Sequence, residues 1–388
     1  MQADSPPLHE KSAAAPLAAC WVALIVYASL FPFHGWRDQG LMPWAYMAEP
    51  LPPPYWTRFD LIANFLGYAP LGLLLSLAWL AAGWPAWLAL PLAALTASGL
   101  SFALEALQTY LPLRIPSNLD WALNTAGATL GAALAFTLER TGLAGRWRRF
   151  RRRRFEPRSR GAIVLLALWP IALLYPTPVP FGLGHVYERA EAATARLLQG
   201  TPFLEWLPLR QWELQPLLPT TEALCVALGA LAPCLLGYAV IRGAGRRALF
   251  GLLCLLTGAA VLSLSSALTW GPAYAWVWLQ HPPPVQGLAA GAALALIALP
   301  LPHRICTAAL LLALLAQLWL LNAAPHSAYD MASLQQWEQG RFIHFYGLAQ
   351  WVGWLWPFAA IAWLPAQLLP RREPRTKPRA GKLSTDFS

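Results

Sequence analysis

Charged residues are scarce in this sequence. Only 12% of its 388 residues are Asp, Glu, Lys or Arg, whereas 57% are hydrophobic, and the mean hydropathy is +0.44. A soluble domain carries about 25% charged residues, so the composition excludes an ordinary soluble protein and predicts an integral membrane protein. The 21 tryptophans fit this class, because indole rings anchor membrane helices at the level of the lipid headgroups.

Cysteine is also rare, and the short motifs of common cofactor sites are absent. The sequence has no CxxC, HExxH or GxxxxGK[ST] motif, and its histidines lack metal-ligand spacing. We therefore predict neither a metal nor another cofactor. The five cysteines lie in apolar runs and are expected to be buried hydrophobic residues rather than disulfide partners: Cys20, Cys225, Cys234, Cys254 and Cys306.

Long apolar runs dominate the chain. A membrane span needs roughly 20 apolar residues, and such a span is a helix because free backbone groups find no hydrogen-bond partner in lipid. The predicted fold is therefore all-α, a polytopic transmembrane helical bundle of ten spans. The predicted spans are residues 16–33, 60–82, 86–109, 119–139, 161–180, 219–241, 247–269, 286–301, 304–321 and 344–369.

The basic residues predict the orientation of these spans. With the N-terminus inside, 21 of the 28 Lys and Arg residues fall on the inner side and 7 on the outer side. This asymmetry predicts that both termini are cytoplasmic. The net charge of +10 is concentrated in short runs beside apolar spans, which indicates membrane lipids, and not nucleic acid, as the partner.

The arginine-rich run at residues 146–154 divides the chain into two halves. The predicted domains are a four-helix membrane domain at 1–145, a basic cytoplasmic linker at 146–160, a six-helix membrane domain at 161–370 and a disordered cytoplasmic tail at 371–388. Two outer loops contain amphipathic stretches, Val186 to Leu198 and Leu334 to Phe345. Stretches of this kind can lie flat on the membrane surface.

A set of polar residues lies at the ends of spans two to four. Ionisable residues in spans are costly and usually functional, and residues three or four positions apart share one helix face. The topology places all of them near the outer surface. They are Asp60, Asn64, Glu105, Gln108, Arg114, Ser117, Asp120 and Asn124. Gly127 and Gly131 follow Asn124 on the same face and predict close packing of span four.

Several interpretations fit this cluster. It could be a structural hydrogen-bond network that fixes three helices in register. It could instead bind a polar ligand through Asp60, Asn64, Gln108, Arg114, Ser117 and Asn124, with Arg114 holding an anion. Catalysis would use Glu105 and Asp120 as a general acid–base pair. A proton-coupled transporter ranks last, because the inner halves of these spans have few polar side chains.

The same residues resemble a known family. The pattern is Asp60…Asn64…Pro70-Leu71-Gly72, Glu105-x-x-Gln108, Arg114, Ser117-x-x-Asp120 and Asn124-x-x-Gly127-x-x-x-Gly131. It resembles the VanZ-like family over about residues 17–140. That family comprises small bacterial membrane proteins, and its founding member is associated with low-level resistance to the glycopeptide teicoplanin.

The resemblance implies a multi-pass protein of the bacterial cytoplasmic (inner) membrane with a role in the cell envelope. The implied partners are a lipid-linked envelope precursor, a glycolipid or a glycopeptide antibiotic. The resemblance implies no particular reaction, so whether the protein is an enzyme stays open. The second half of the chain would be a C-terminal multi-span extension of the VanZ-like part.

Overall fold

The structure is a computed structural model that describes residues 12–31, 33–51, 58–156, 159–206, 215–325, 328–338 and 346–368. Within these residues every regular secondary-structure element is a helix, and no β-strand forms. The all-α prediction is therefore confirmed. The tail predicted at residues 371–388 lies outside the described residues.

In the first half, the described residues form four α-helices whose ends follow from local sequence. Gly83 adopts φ +91° and Pro85 is extended, which separates the second helix from the third. Ser117 caps the fourth helix: its Oγ accepts hydrogen bonds from the N–H groups of Leu119 (3.2 Å) and Asp120 (3.4 Å). The helices are α1 (Ala14–Leu30), α2 (Arg58–Ala81), α3 (Ala86–Gln108) and α4 (Asn118–Arg140).

The described residues after Arg140 form ten further α-helices. They are α5 (Leu143–Arg154), α6 (Arg160–Leu174), α7 (Tyr187–Leu198), α8 (Pro219–Tyr238), α9 (Ala244–Trp270), α10 (Pro282–Ile297), α11 (His303–Asn322), α12 (Ala328–Glu338), α13 (Tyr346–Trp363) and α14 (Pro365–Leu368). Helix α7 occupies the amphipathic stretch from Val186 to Leu198. The second such stretch begins within α12, at Leu334, and its residues 339–345 lie outside the described part of the chain.

One helix ends earlier than the sequence predicts. The run at residues 161–180 was expected to be helical throughout, but α6 ends at Leu174. Pro176, Pro178 and Pro180 follow in the next six residues. Proline cannot donate the helical hydrogen bond and disfavours helical backbone in the residue before it, so this apolar segment continues as an irregular loop.

Five of the described helices are long and apolar enough to cross a membrane: α2 from Asp60 to Ala81, α3, α8, α9 and α11. Three shorter helices, α1, α6 and α10, are also apolar. These features indicate a multi-pass membrane protein. Ten spans with both termini inside stay a prediction.

Helices α2 and α4 make the most extensive helix–helix contact in the first half. A Cβ atom added at Gly127 would overlap the carbonyl oxygen of Phe65, and one at Gly131 would overlap that of Ala69. Gly72 of α2 faces the Ala128 carbonyl of α4 in the same way. Small residues allow two helix backbones to touch. As predicted from the glycine spacing, this contact brings the polar starts of α2 and α4 together.

Hydrophobic side chains form a separate core in each half. One core surrounds Leu71 and Ala128 in the first half, and a larger one surrounds α8 in the second. The two halves meet where Gly347 of α13 lies against the Tyr27 hydroxyl of α1. Gln350 of α13 donates to the Tyr175 hydroxyl at 2.9 Å. The C-terminal ends of α1 and α6 therefore lie at the same end of the molecule.

Candidate functional site

Glu105 is a carboxylate buried within the helical bundle. It lies one turn before the end of α3 and is 5% exposed. Its Oε2 accepts a hydrogen bond from the backbone N–H of Ser117 at 3.0 Å. Ser117 is the N-cap residue of α4, so its backbone N–H has no partner within that helix and is available for Glu105. One residue thus joins the end of α3 to the start of α4.

Two further carboxylates extend from Glu105 toward the surface. Asp120, in the first turn of α4, interacts electrostatically with Glu105 on one side and with Asp60 of α2 on the other. The Asn64 side chain lies beside the Asp120 carboxylate. The N-terminal end of α4 favours negative charge here. Glu105, Asp120 and Asp60 are called the carboxylate row below; Glu105 is buried and the other two are partly exposed.

Arg114 and Gln108 face a different helix. The Arg114 guanidinium donates from Nη2 to the carbonyl oxygens of Ala28 (2.8 Å) and Phe31 (3.0 Å), and from Nε to Phe31 (3.2 Å). Gln108 Nε2 donates to the Ser29 carbonyl at 3.1 Å. The last carbonyls of a helix have no partner within it, so these two side chains cap α1.

The electrostatics of Arg114 agree with this capping role. Burial lowers the pKa of its guanidinium, and the nearby Glu105 carboxylate raises it in part. Arg114 forms no direct ion pair with any carboxylate in the described part of the chain, and no described residue accepts a hydrogen bond from its Nη1. If Arg114 holds an anion as predicted, the N–H groups of Nη1 are therefore the ones that would contact it.

We expect Arg114→Ala to loosen the end of α1. The substitution removes hydrogen bonds from a charged donor, each typically contributing about 1.5–3 kcal/mol, and leaves helix carbonyls without partners. Amide hydrogen exchange over residues 27–31 should accelerate about tenfold or more. Arg37→Ala is the matched control, because the Arg37 side chain is exposed. Unchanged exchange in Arg114→Ala would show that this cap does not stabilise α1.

Two residues that the sequence analysis missed continue the polar network inward. Asn124 Nδ2 donates to Ser101 Oγ at 2.9 Å, and the Tyr68 hydroxyl lies close to the Ser101 side chain. Tyr68 lies four residues after Asn64, and Ser101 lies four residues before Glu105. The same spacing that identified the other pairs could have found both, had hydroxyl groups been included.

A short loop covers the buried carboxylate. Tyr46, in a 3-10 helix at Ala45–Ala48, is 2% exposed, and its hydroxyl donates to the Phe102 carbonyl at 3.4 Å. Burial raises the pKa of Tyr46 to about 12, and the Glu105 carboxylate adds to this shift. Asn118 Nδ2 fixes the end of the loop by donating to the Glu49 carbonyl at 2.7 Å. No spacing rule connects this loop to α4, so the loop was not predictable from the sequence pattern.

The structure thus brings all eight predicted residues to one end of α2, α3 and α4, in two groups. Asp60, Asn64, Glu105, Ser117, Asp120 and Asn124 surround the carboxylate row, whereas Gln108 and Arg114 cap α1. The amide oxygens of Asn118 and Asn124 are buried and accept no hydrogen bond from the described residues. The first group is therefore rich in acceptors. In the described part of the chain, no group of His, Cys, Asp and Glu is arranged to hold a metal ion.

Residues 14–139 match the protein-family model described as VanZ/LLP1. This part of the chain is a VanZ-like segment. It contains α1 to α4 and all eight candidate residues, which confirms the resemblance read from their spacing. Beyond it, the residues that the structure describes form ten more α-helices. No curated protein and no solved structure matches the chain.

Proposed function

We propose that this protein acts in the envelope of a bacterium, where its VanZ-like segment recognises the polar head of a lipid-linked cell-wall or glycolipid component. The protein would lie in the inner membrane with both termini in the cytoplasm. The carboxylate row would then open at the outer leaflet, where such components are used. Changed susceptibility to glycopeptide antibiotics is the phenotype we expect from its loss.

The observation that carries the proposal is the concentration of acceptors around the carboxylate row. Native proteins satisfy almost all of their buried polar groups, yet the buried amide oxygen of Asn124 in this group accepts no hydrogen bond from the described residues. Carboxylates and amide oxygens accept hydrogen bonds from hydroxyl and amide donors. A sugar or a peptide amide supplies such donors, whereas a hydrocarbon chain does not.

Arg114 can add selectivity for a phosphate. Its Nε and Nη2 donate hydrogen bonds to carbonyl oxygens at the end of α1. The Nη1 group of the guanidinium is the one that could reach a ligand. An arginine that is held in place by its other nitrogens loses little freedom when it binds an anion. The ligand class that fits both groups carries a hydroxyl-rich head next to a phosphate.

Binding by the full-length protein in lipid nanodiscs tests the proposal. The probe is the lipid-linked disaccharide-pentapeptide precursor of peptidoglycan, with teicoplanin as a second probe. Asp120→Asn should weaken binding of the precursor about tenfold, the effect of one charge-assisted hydrogen bond. Glu188→Gln is the control, because Glu188 is exposed on α7. Equal affinities in Asp120→Asn and Glu188→Gln, with both proteins folded, would contradict the proposal.

An intramembrane enzyme is the second candidate, and one observation favours it. Glu105 and Asp120 are neighbouring carboxylates in different environments, one buried and one partly exposed. Such a difference separates the proton affinities of two acids and lets one donate while the other accepts. Under this alternative, Glu105→Gln would retain binding of the precursor but abolish its conversion.

A further inference from the structure

A cavity of about 720 Å³ opens in the second half, away from the carboxylate row. It lies at the end of the bundle where α9 and α11 end and α8 and α10 begin. Proline-rich segments at residues 176–180 and 282–284 form part of its walls. Pockets for drug-sized ligands measure roughly 300–1,000 Å³, so this volume suits one such molecule.

The charges that line the cavity favour a cation. Its lining contains one carboxylate, Glu222, together with His185 and His281, and among the described residues it contains no Lys or Arg. Glu222 interacts electrostatically with His281, but it forms no hydrogen bond or ion pair with any residue that the structure describes. A carboxylate that faces a cavity without a fixed partner attracts a positively charged ligand.

The aromatic lining favours the same ligand. The Trp270 and Trp278 side chains line the cavity. Trp278 is held in place, since its Nε1 donates to Ser263 Oγ at 3.1 Å and its ring packs edge-on against Phe181 with centroids 6.3 Å apart. Fixed indole rings bind organic cations through their π faces. Val179 and Leu217 give the remaining wall an apolar surface that suits a hydrophobic body.

We propose that this cavity binds amphipathic organic cations, with Glu222 as the counter-charge and the two tryptophans as the aromatic wall. The site is separate from the carboxylate row, although the contact between Tyr27 and Gly347 places both at the same end of the molecule. It would give the second half of the chain a binding activity of its own.

Two probes of equal shape and opposite charge test this proposal. Tetraphenylphosphonium should bind the full-length protein in nanodiscs saturably, above the partitioning measured with empty nanodiscs. Tetraphenylborate should not displace it. Glu222→Gln should weaken phosphonium binding about tenfold, and Trp278→Phe should weaken it to a smaller extent, whereas Glu188→Gln should leave it unchanged.

Three outcomes would overturn the proposal. Equal binding of the two probes would show an apolar site without charge selectivity. Wild-type affinity in a folded Glu222→Gln protein would remove Glu222 as the counter-charge. Displacement of the phosphonium by N-acetylglucosamine with wild-type affinity in Glu222→Gln would identify a saccharide site instead. Thermal unfolding of each variant separates all three from a loss of folded protein.

Discussion

Replacing Gly127 by alanine is expected to remove most of the folded protein from the membrane. The new methyl group would overlap the carbonyl oxygen of Phe65, which is a backbone atom and cannot turn aside as a side chain would. Helices α2 and α4 would have to separate, and overpacking of this kind costs about 1–3 kcal/mol or more. Membrane abundance and the thermal unfolding temperature in detergent are the measurements.

Gly99→Ala is a matched control for this substitution. Gly99 lies in α3, and a Cβ atom added there meets nothing within 4 Å. Alanine favours a helix over glycine by about 1 kcal/mol, so this variant should be as stable as the natural protein or slightly more stable. Equal stability of Gly127→Ala and Gly99→Ala would show that α2 and α4 are not in backbone contact.

The close pairing of α2 and α4 was predictable because it depends on local spacing. Gly127 and Gly131 repeat along one helix face, and the polar residues before them follow the same spacing. Apolar runs bounded by proline and glycine likewise gave helix positions within a few residues, as at Pro85. The exception is α6. The hydropathy of residues 175–180 predicts that the helix continues through them, whereas the structure ends it before Pro176.

The partners of Arg114 were not predictable from spacing. The backbone carbonyls of Ala28 and Phe31 lie more than 80 residues away in sequence, and any arginine near a carboxylate suggests an ion pair. The structure instead directs the guanidinium to the end of α1. The cover over Glu105 was missed for a similar reason, since Tyr46 lies in a loop without a periodic pattern.

The second large effect is expected in living cells. Glu105→Gln and Asp120→Asn change each carboxylate to an amide of nearly the same shape. Glutamine at position 105 can still accept the Ser117 N–H through its remaining oxygen, so the fold should persist. Both variants lose a charged acceptor of the carboxylate row. We expect Asp120→Asn to lose at least nine-tenths of the envelope function at normal membrane abundance, and Glu105→Gln to lose less, because Glu105 is buried.

The comparison of these two variants also separates the candidate functions. A binding protein should tolerate Glu105→Gln better than Asp120→Asn, because Asp120 is partly exposed and Glu105 is buried. An enzyme that uses both carboxylates as an acid–base pair should be inactivated by either change. A purely structural cluster predicts that loss of function follows the loss of folded protein in every variant.

The most direct measurement is complementation of a strain that lacks the native gene, with glycopeptide susceptibility and envelope integrity as readouts. Asp120→Asn, Glu105→Gln and the control Glu188→Gln would each be quantified in the membrane fraction. We predict that Asp120→Asn fails to complement at normal abundance, that Glu105→Gln complements in part, and that the control complements fully. Full complementation by both carboxylate variants would contradict the claim that the carboxylate row is a functional site.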